Sequence, residues 1–205
     1  MTVLVVTGGI GSGKSLVCRL LHQKYGVPVY DADAKAKEIY GKYPVVVDMM
    51  EEVLGKCLRD CDGNFMPRAL ADVIFNDGTA LQEVEKILFP VLKQDFLQWS
   101  SEQEVELAVF ESATILEKPM FKGFGDFVLL VDAPLQTRLA RAAERDAVTP
   151  SAIERRAASQ PLMNRLSDGG SDPRVGHVIY NSSTLEDLSR NLDEFMENYG
   201  LTKML

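Results

Sequence analysis

The chain has 205 residues, 46% of them hydrophobic and 25% charged, enough for one globular core that carries an insertion. A formal net charge of −8 argues against a nucleic-acid binder built on a broad basic face, so any polyanionic ligand must be met by a local cationic cluster. Cys18, Cys57 and Cys61 are an odd number without a secretory leader, which fits a reduced, cytoplasmic setting, and no run approaches the roughly 18 apolar residues of a membrane span.

Val3-Leu4-Val5-Val6 reads as a strand buried on both faces. It leads into Thr7-Gly8-Gly9-Ile10-Gly11-Ser12-Gly13-Lys14-Ser15, which matches G-x-x-x-x-G-K-[ST] from Gly8 at every fixed position. A loop that wraps a polyphosphate turns its backbone N–H groups inward, and glycine permits that curvature. Gly9 to Leu16 are therefore candidate nucleotide contacts: Gly9, Ile10, Gly11, Ser12 and Gly13 by backbone, Lys14 by charge beside the β- and γ-phosphates, Ser15 as a hydroxyl ligand to Mg²⁺, and Leu16 beyond it. Leu16, Val17, Leu20 and Leu21 then recur at helical spacing, with Gly26 as the C-terminal cap.

Val27 to Tyr30 reads as the second strand, delivering Asp31-Ala32-Asp33 at its carboxyl end, where open α/β sheets place ligands. These carboxylates orient a hydroxyl nucleophile, hold Mg²⁺ through water, or cap the next helix. Residues 34–104 carry helical periodicity without alternating strands, with a turn at Asp62-Gly63, and read as a helical insertion. Within it, Phe96 and Trp99 read as core residues, and Cys57 and Cys61 lack the second Cys/His pair of a zinc site.

Leu107 to Phe110 resumes the sheet and ends on Glu111, with Glu117 six residues on; each carboxylate either serves the metal's water shell or the acceptor, or pairs with an arginine. Phe127 to Asp132 is a fourth buried strand followed by Ala133-Pro134, and Asp132 either reaches the metal through water or caps a helix beginning near Leu135. Arg138, Arg141, Arg145, Arg155, Arg156 and Arg165 follow, six of the eleven arginines. The first three fall at i, i+3 and i+7 on one helix face, and Thr149-Pro150 starts a second helix. This segment reads as a lid whose arginines neutralise phosphate charge, with Arg141 and Arg145 as the phosphate contacts; the alternative is a solvated hairpin whose arginines pair with Glu144, Asp146 and Glu154. Leu166 to Gly170 reads as a loop, Val178 to Tyr180 as a fifth strand ending at Asn181, and Ser183 with Glu186 as the capping box of a closing helix.

The pattern predicts an α/β, three-layer P-loop kinase fold with a five-stranded parallel sheet. It forms one unit, with a core of 1–33, 105–136 and 175–205, a helical acceptor-binding insertion at 34–104 and an arginine-bearing lid at 137–174. Residue reasoning alone reaches a small-molecule kinase of the nucleoside-monophosphate-kinase type and does not name the acceptor.

The phosphate loop followed by Asp31-Ala32-Asp33 at this interval resembles the dephospho-CoA kinase family. So do Asp62-Gly63 with Arg68-Ala69-Leu70 and Ile74-Phe75, Gln136-Thr137-Arg138-Leu139 with Arg145-Asp146, Gln160, and Val178-Ile179 with Asn181. The resemblance implies transfer of the γ-phosphoryl group of ATP to the ribose 3′-hydroxyl of dephospho-CoA, the last step of coenzyme A synthesis. It implies Asp33 as base or hydroxyl-orienting residue, and Lys14, Ser15, Mg²⁺ and Arg145 as stabilisers of the phosphoryl group in flight. Asp31, Asp33, Arg68, Glu111 and Glu117 would then meet the acceptor, and Asp33 joins Ser15 as a candidate metal contact. ATP and dephospho-CoA are the implied partners, with neither nucleic acid nor membrane.

Departures from the family pattern are Leu16 for a customary threonine, Phe89 before Pro90 for histidine, Lys37 for arginine or histidine, and a loose match over Ser112 to Glu117. Another small-molecule P-loop kinase shares the loop and lid, and a regulatory P-loop ATPase is the further alternative. Guanine specificity is disfavoured, because no Asn-Lys-x-Asp segment is present.

Overall fold

The computed structural model describes residues 1–204. It consists of two compact units, Met1–Asp31 with the chain from Gln103 onward, and Ala32–Glu102. The expected insertion began at 34 and ended at 104; the helical unit begins and ends two residues earlier.

The first unit holds a parallel sheet of β1 (Thr2–Thr7), β2 (Val29–Asp31), β3 (Leu107–Glu111), β4 (Phe127–Asp132) and β5 (His177–Tyr180), in the order β2-β3-β1-β4-β5. Its helices are α1 (Lys14–Tyr25), then α6 (Leu135–Asp146), α7 (Pro150–Ala158), α8 (Pro161–Ser167) and α9 (Leu185–Asn198). Strand residues alternate between faces. Leu4, Val6, Leu107, Val109, Leu129 and Val131 pack with Val17 and Leu21 of α1 and with Leu188, Leu192 and Phe195 of α9. Elsewhere in this unit Phe110 stacks on Tyr30 with centroids 5.5 Å apart and meets Phe124 edge-on at 4.9 Å. The register aligns Asp31 with Glu111 and Val6 with Glu111, so the carboxyl ends of β1, β2 and β3 lie along one rim of the sheet.

Three local readings shift. β2 starts at Val29, because Pro28 has no N–H for the ladder, although its carbonyl accepts from Val109 N at 2.9 Å. The cap of α9 is Thr184, whose hydroxyl accepts from Asp187 N at 3.1 Å, one residue beyond the expected Ser183 and Glu186. Leu166 and Ser167 complete α8 where a loop was expected.

The second unit contains α2 (Ala32–Lys42), α3 (Pro44–Leu54), α4 (Pro67–Asn76) and α5 (Gly78–Ser101). Pro44 and Pro67 open their helices at positions where a missing N–H costs nothing, and Asp77 caps α5 by accepting from Thr79 N and Ala80 N. The expected turn at Asp62-Gly63 is present, with Gly63 at φ 83° and the Asp60 carboxylate accepting from Asp62 N and Asn64 N. Phe96 is fully buried and lies 5.9 Å from the Trp99 ring, as expected of core residues. Among the described residues no helix is long and apolar enough to cross a membrane.

Candidate active site

The phosphate loop leaves β1 at Thr7 and enters α1 at Lys14. Gly13 sits at φ 102°, in the left-handed region, and a Cβ there would lie 2.1 Å from Asn181 Nδ2. Glycine is thus demanded there by backbone conformation and by packing together. The same Asn181 amide donates to Ser12 O at 2.9 Å, so the end of β5 holds the loop from the side. At Gly9 the requirement is close approach: a Cβ would lie 1.9 Å from Arg138 NH1. Lys14 folds back across the loop, its Nζ donating to Gly8 O at 3.0 Å and to Gly9 O at 3.4 Å.

Lys14, Ser15 and Leu16 open on a cleft of about 330 Å³ that Gly11 and Gly13 line from the loop, Arg141 and Arg145 from α6, and Asn181 from β5. The two arginines expected to contact phosphate therefore share a cavity with the loop lysine. Arg141 NH1 donates to Asn181 O at 3.0 Å. Arg145 Nε donates to Asp146 Oδ1 at 2.7 Å, and Asp146 also accepts from Arg156 NH1 of α7 at 2.8 Å. The Arg145 hydrogen bond holds the Asp146 carboxyl below its usual range and raises Arg145, so both stay charged. The segment thus places two arginines at the cleft and an acid, Asp146, between α6 and α7.

Arg138 does not join Arg141 and Arg145 at the cleft. It is 1% exposed and lies beneath Gly9, with Nε 3.8 Å from Asp132 Oδ1. The three stay within about 60° of helix face and differ in height along the axis: Arg138 lies in the first turn of α6, and Arg141 and Arg145 lie about one and two turns further on, at the cleft. Asp132 accepts from Ser167 Oγ at 2.8 Å, so its carboxylate belongs to this group beneath the loop.

The carboxylate beside the loop hydroxyl is Glu111: Ser15 Oγ donates to Glu111 Oε1 at 2.8 Å, and Glu111 is buried. Both border a second cleft, of about 340 Å³, with Asp31, Val29 and, from α1, Cys18, Arg19 and His22. Burial first, and the neighbouring Glu111 second, push the Cys18 thiol well above its usual pKa, so it stays protonated. A hydroxyl and a carboxylate are hard oxygen donors of the kind Mg²⁺ takes. Among the described residues no group of three His, Cys, Asp or Glu could hold a metal ion.

The other expected residues lie on other elements. Asp33 lies in the first turn of α2 and Arg68 is the second residue of α4, both in the helical unit. Glu117 accepts from Leu162 N at 3.0 Å and so caps the start of α8. Sequence reasoning assigned no role to Arg19 or His22; His22 Nδ1 lies 3.2 Å from Val27 O, closing the turn after α1. It also missed the support that Asn181 gives the loop, although a polar residue at the end of a buried strand is a signal for the ligand crevice.

Comparison with known proteins gives the same assignment. The family model for dephospho-CoA kinase matches residues 2–187. A dephospho-CoA kinase of Porphyromonas gingivalis is 38% identical over 182 residues, covering 89% of this chain and 87% of that protein. One of Fusobacterium nucleatum is 30% identical over 199 residues, covering 96% and 99%. Among solved structures, a Thermus thermophilus protein superposes with a TM-score of 0.80 at 28% identity over 96% of this chain and 97% of that one. A shikimate kinase of Acinetobacter baumannii, at 0.53 and 16% identity over 100% and 96%, shares the fold. With phosphate loop, sheet order and arginine-bearing helix in place, the chain belongs to the dephospho-CoA kinase family.

Proposed function

We propose that this protein transfers the γ-phosphoryl group of ATP to the 3′-hydroxyl of the ribose of dephospho-CoA, giving coenzyme A and ADP. The observation that carries this reading is the meeting of two clefts at Ser15, one bearing Lys14, Arg141 and Arg145, the other floored by Asp31 and Glu111. The first suits a polyphosphate; the second suits hydroxyl groups that donate to carboxylates.

In the reaction the ribose oxygen bonds to the γ-phosphorus, the bond from that phosphorus to the β,γ-bridging oxygen breaks, and the hydroxyl proton passes to Asp33. Lys14, Arg141 and Arg145 stabilise charge on the transferring group and the leaving ADP. Asp31 and Glu111 orient the ribose, Arg68 meets an anionic part of the acceptor, and Glu117 serves the acceptor side through the α8 terminus that it caps. Ser15, with Glu111 to order a water and Asp33 as the further carboxylate, would hold a Mg²⁺ ion, which when bound would supply neutralisation of the phosphate oxygens. Residues 34–104 receive the acceptor and 137–174 act as the lid.

The test is ADP formation from ATP and Mg²⁺ with and without dephospho-CoA, beside AMP and other hydroxyl acceptors. Dephospho-CoA is expected to raise the rate by at least about tenfold, equivalent to about 1.4 kcal/mol in the barrier. A larger rise with another acceptor, or equal turnover without any, overturns the assignment.

A further inference from the structure

The crown of the phosphate loop is held by the lid. Ile10 N donates to Gln160 Oε1 at 2.9 Å, a bond between residues 150 apart in sequence. A backbone N–H can only donate, so the side-chain atom facing it is the carbonyl oxygen. The Ile10 side chain packs against a small lid core of Leu139, Ala142, Ile153 and Ala157 from α6 and α7. One loop residue is therefore bound to the lid by its polar backbone and its apolar side chain together. Gln160 itself is set firmly, since its N–H donates to Ala157 O at 3.0 Å and Pro161 restricts its backbone. Asn164 Nδ2 also donates to Ala157 O at 2.8 Å.

We propose that Gln160 is a positioning residue for phosphoryl transfer: by accepting the Ile10 N–H it fixes the Gly9–Ile10 peptide, so that the rest of the loop presents its amides to the phosphates in one geometry. The inference rests on the kinase reading above and adds a residue that acts through the loop rather than on the substrate. Its physical basis is that a buried or half-buried N–H without an acceptor is costly, and that displacements of about 1 Å in a positioning group lower rates by up to about a hundredfold. α8 does not depend on this bond, because Glu117 caps its N-terminus separately. A side-chain change at 160 therefore releases the loop without unfolding the lid.

The test compares Gln160→Leu with Gln160→Glu, which keeps an acceptor oxygen, in the full-length enzyme. Hydrogen exchange of individual backbone amides is read without acceptor, and kcat and KM for ATP and for dephospho-CoA are measured separately. In Gln160→Leu the Ile10 amide is expected to exchange at least about tenfold faster while β1 and β4 amides keep their protection. kcat is expected to fall by about ten- to a hundredfold, with KM for dephospho-CoA within about twofold. Gln160→Glu is expected to keep Ile10 protected and to recover most of the lost kcat.

Unchanged Ile10 exchange in Gln160→Leu overturns the proposal, as does accelerated exchange throughout the sheet, which marks a general structural role. Should Gln160→Leu not fold, Gln160→Glu alone decides: loss of Ile10 protection there overturns it. If dephospho-CoA fails to stimulate even the parent enzyme, the acceptor reading fails, while the exchange pattern still reports on the loop.

Discussion

Asp33 and the Gly9–Arg138 contact carry the sharpest consequences at the scale of single residues. If Asp33 takes the hydroxyl proton, Asp33→Asn keeps ATP affinity and lowers kcat by about a hundredfold or more, since general-base catalysis contributes about 10²–10⁴. Equilibrium nucleotide binding beside steady-state turnover checks this, and near-normal turnover removes Asp33 from the chemistry. At Gly9 the geometry predicts a clash of Gly9→Ala with a guanidinium that is 1% exposed. Alanine is expected to destabilise the protein, and the same change in an Arg138→Ala background to cost less. A double-mutant cycle by denaturant unfolding should give a coupling of about 1–3 kcal/mol, and strict additivity refutes the contact. The loop motif was readable residue by residue. What presses on Gly9 was not, because Arg138 reaches it from a helix some 130 positions along the chain.

Among elements, the connection from α8 to β5 is held at Asp172, which pairs with Arg174 and, at 3.8 Å, with Arg165 of α8. Asp172 is buried and accepts from Arg174 NH2 at 2.6 Å, while Arg174 NH1 donates to Leu116 O at 2.5 Å. The Arg174 hydrogen bond chiefly pulls the Asp172 carboxyl from its usual 3.8 down to about 2. A depressed carboxylate pKa means that this stability is fully present above about pH 4 and is lost as pH falls through about 2. Asp172→Asn should therefore flatten the acid limb of the stability curve between those values and cost about 1–2 kcal/mol at neutral pH, a buried-pair loss discounted because Arg174 is 40% exposed. Urea titrations at several pH values read both effects. The strands were legible from their apolar runs, and β4 was read with both ends in place. Helix starts that depend on one hydroxyl, as at Thr184, were not, because adjacent Ser and Thr offer equivalent caps until packing selects one.

For the whole molecule, nucleotide binding adds to folding stability by mass action. ADP at about 100 times its Kd should stabilise the native state by about 2.7 kcal/mol. Lys14→Met is expected to abolish that shift while leaving the unliganded transition near its original temperature, and thermal unfolding with and without ADP distinguishes this from a misfolded variant. A full ADP shift in Lys14→Met refutes the placement of the lysine on the phosphates. The parallel sheet, the glycine-rich loop that carries Lys14 and Ser15, and the helical run after β2 were legible in the sequence alone, because each depends on residues close together in the chain: apolar runs, glycine spacing and helical periodicity. Only tertiary structure decided that Glu111 bonds Ser15, that Asp132 turns to Arg138 and Ser167, and that Gln160 takes the Ile10 N–H. These pairings join positions from 6 to 150 residues apart, and where several acids and arginines lie within reach of one rim, the partner is chosen by burial and by the direction of each side chain, which no local pattern encodes.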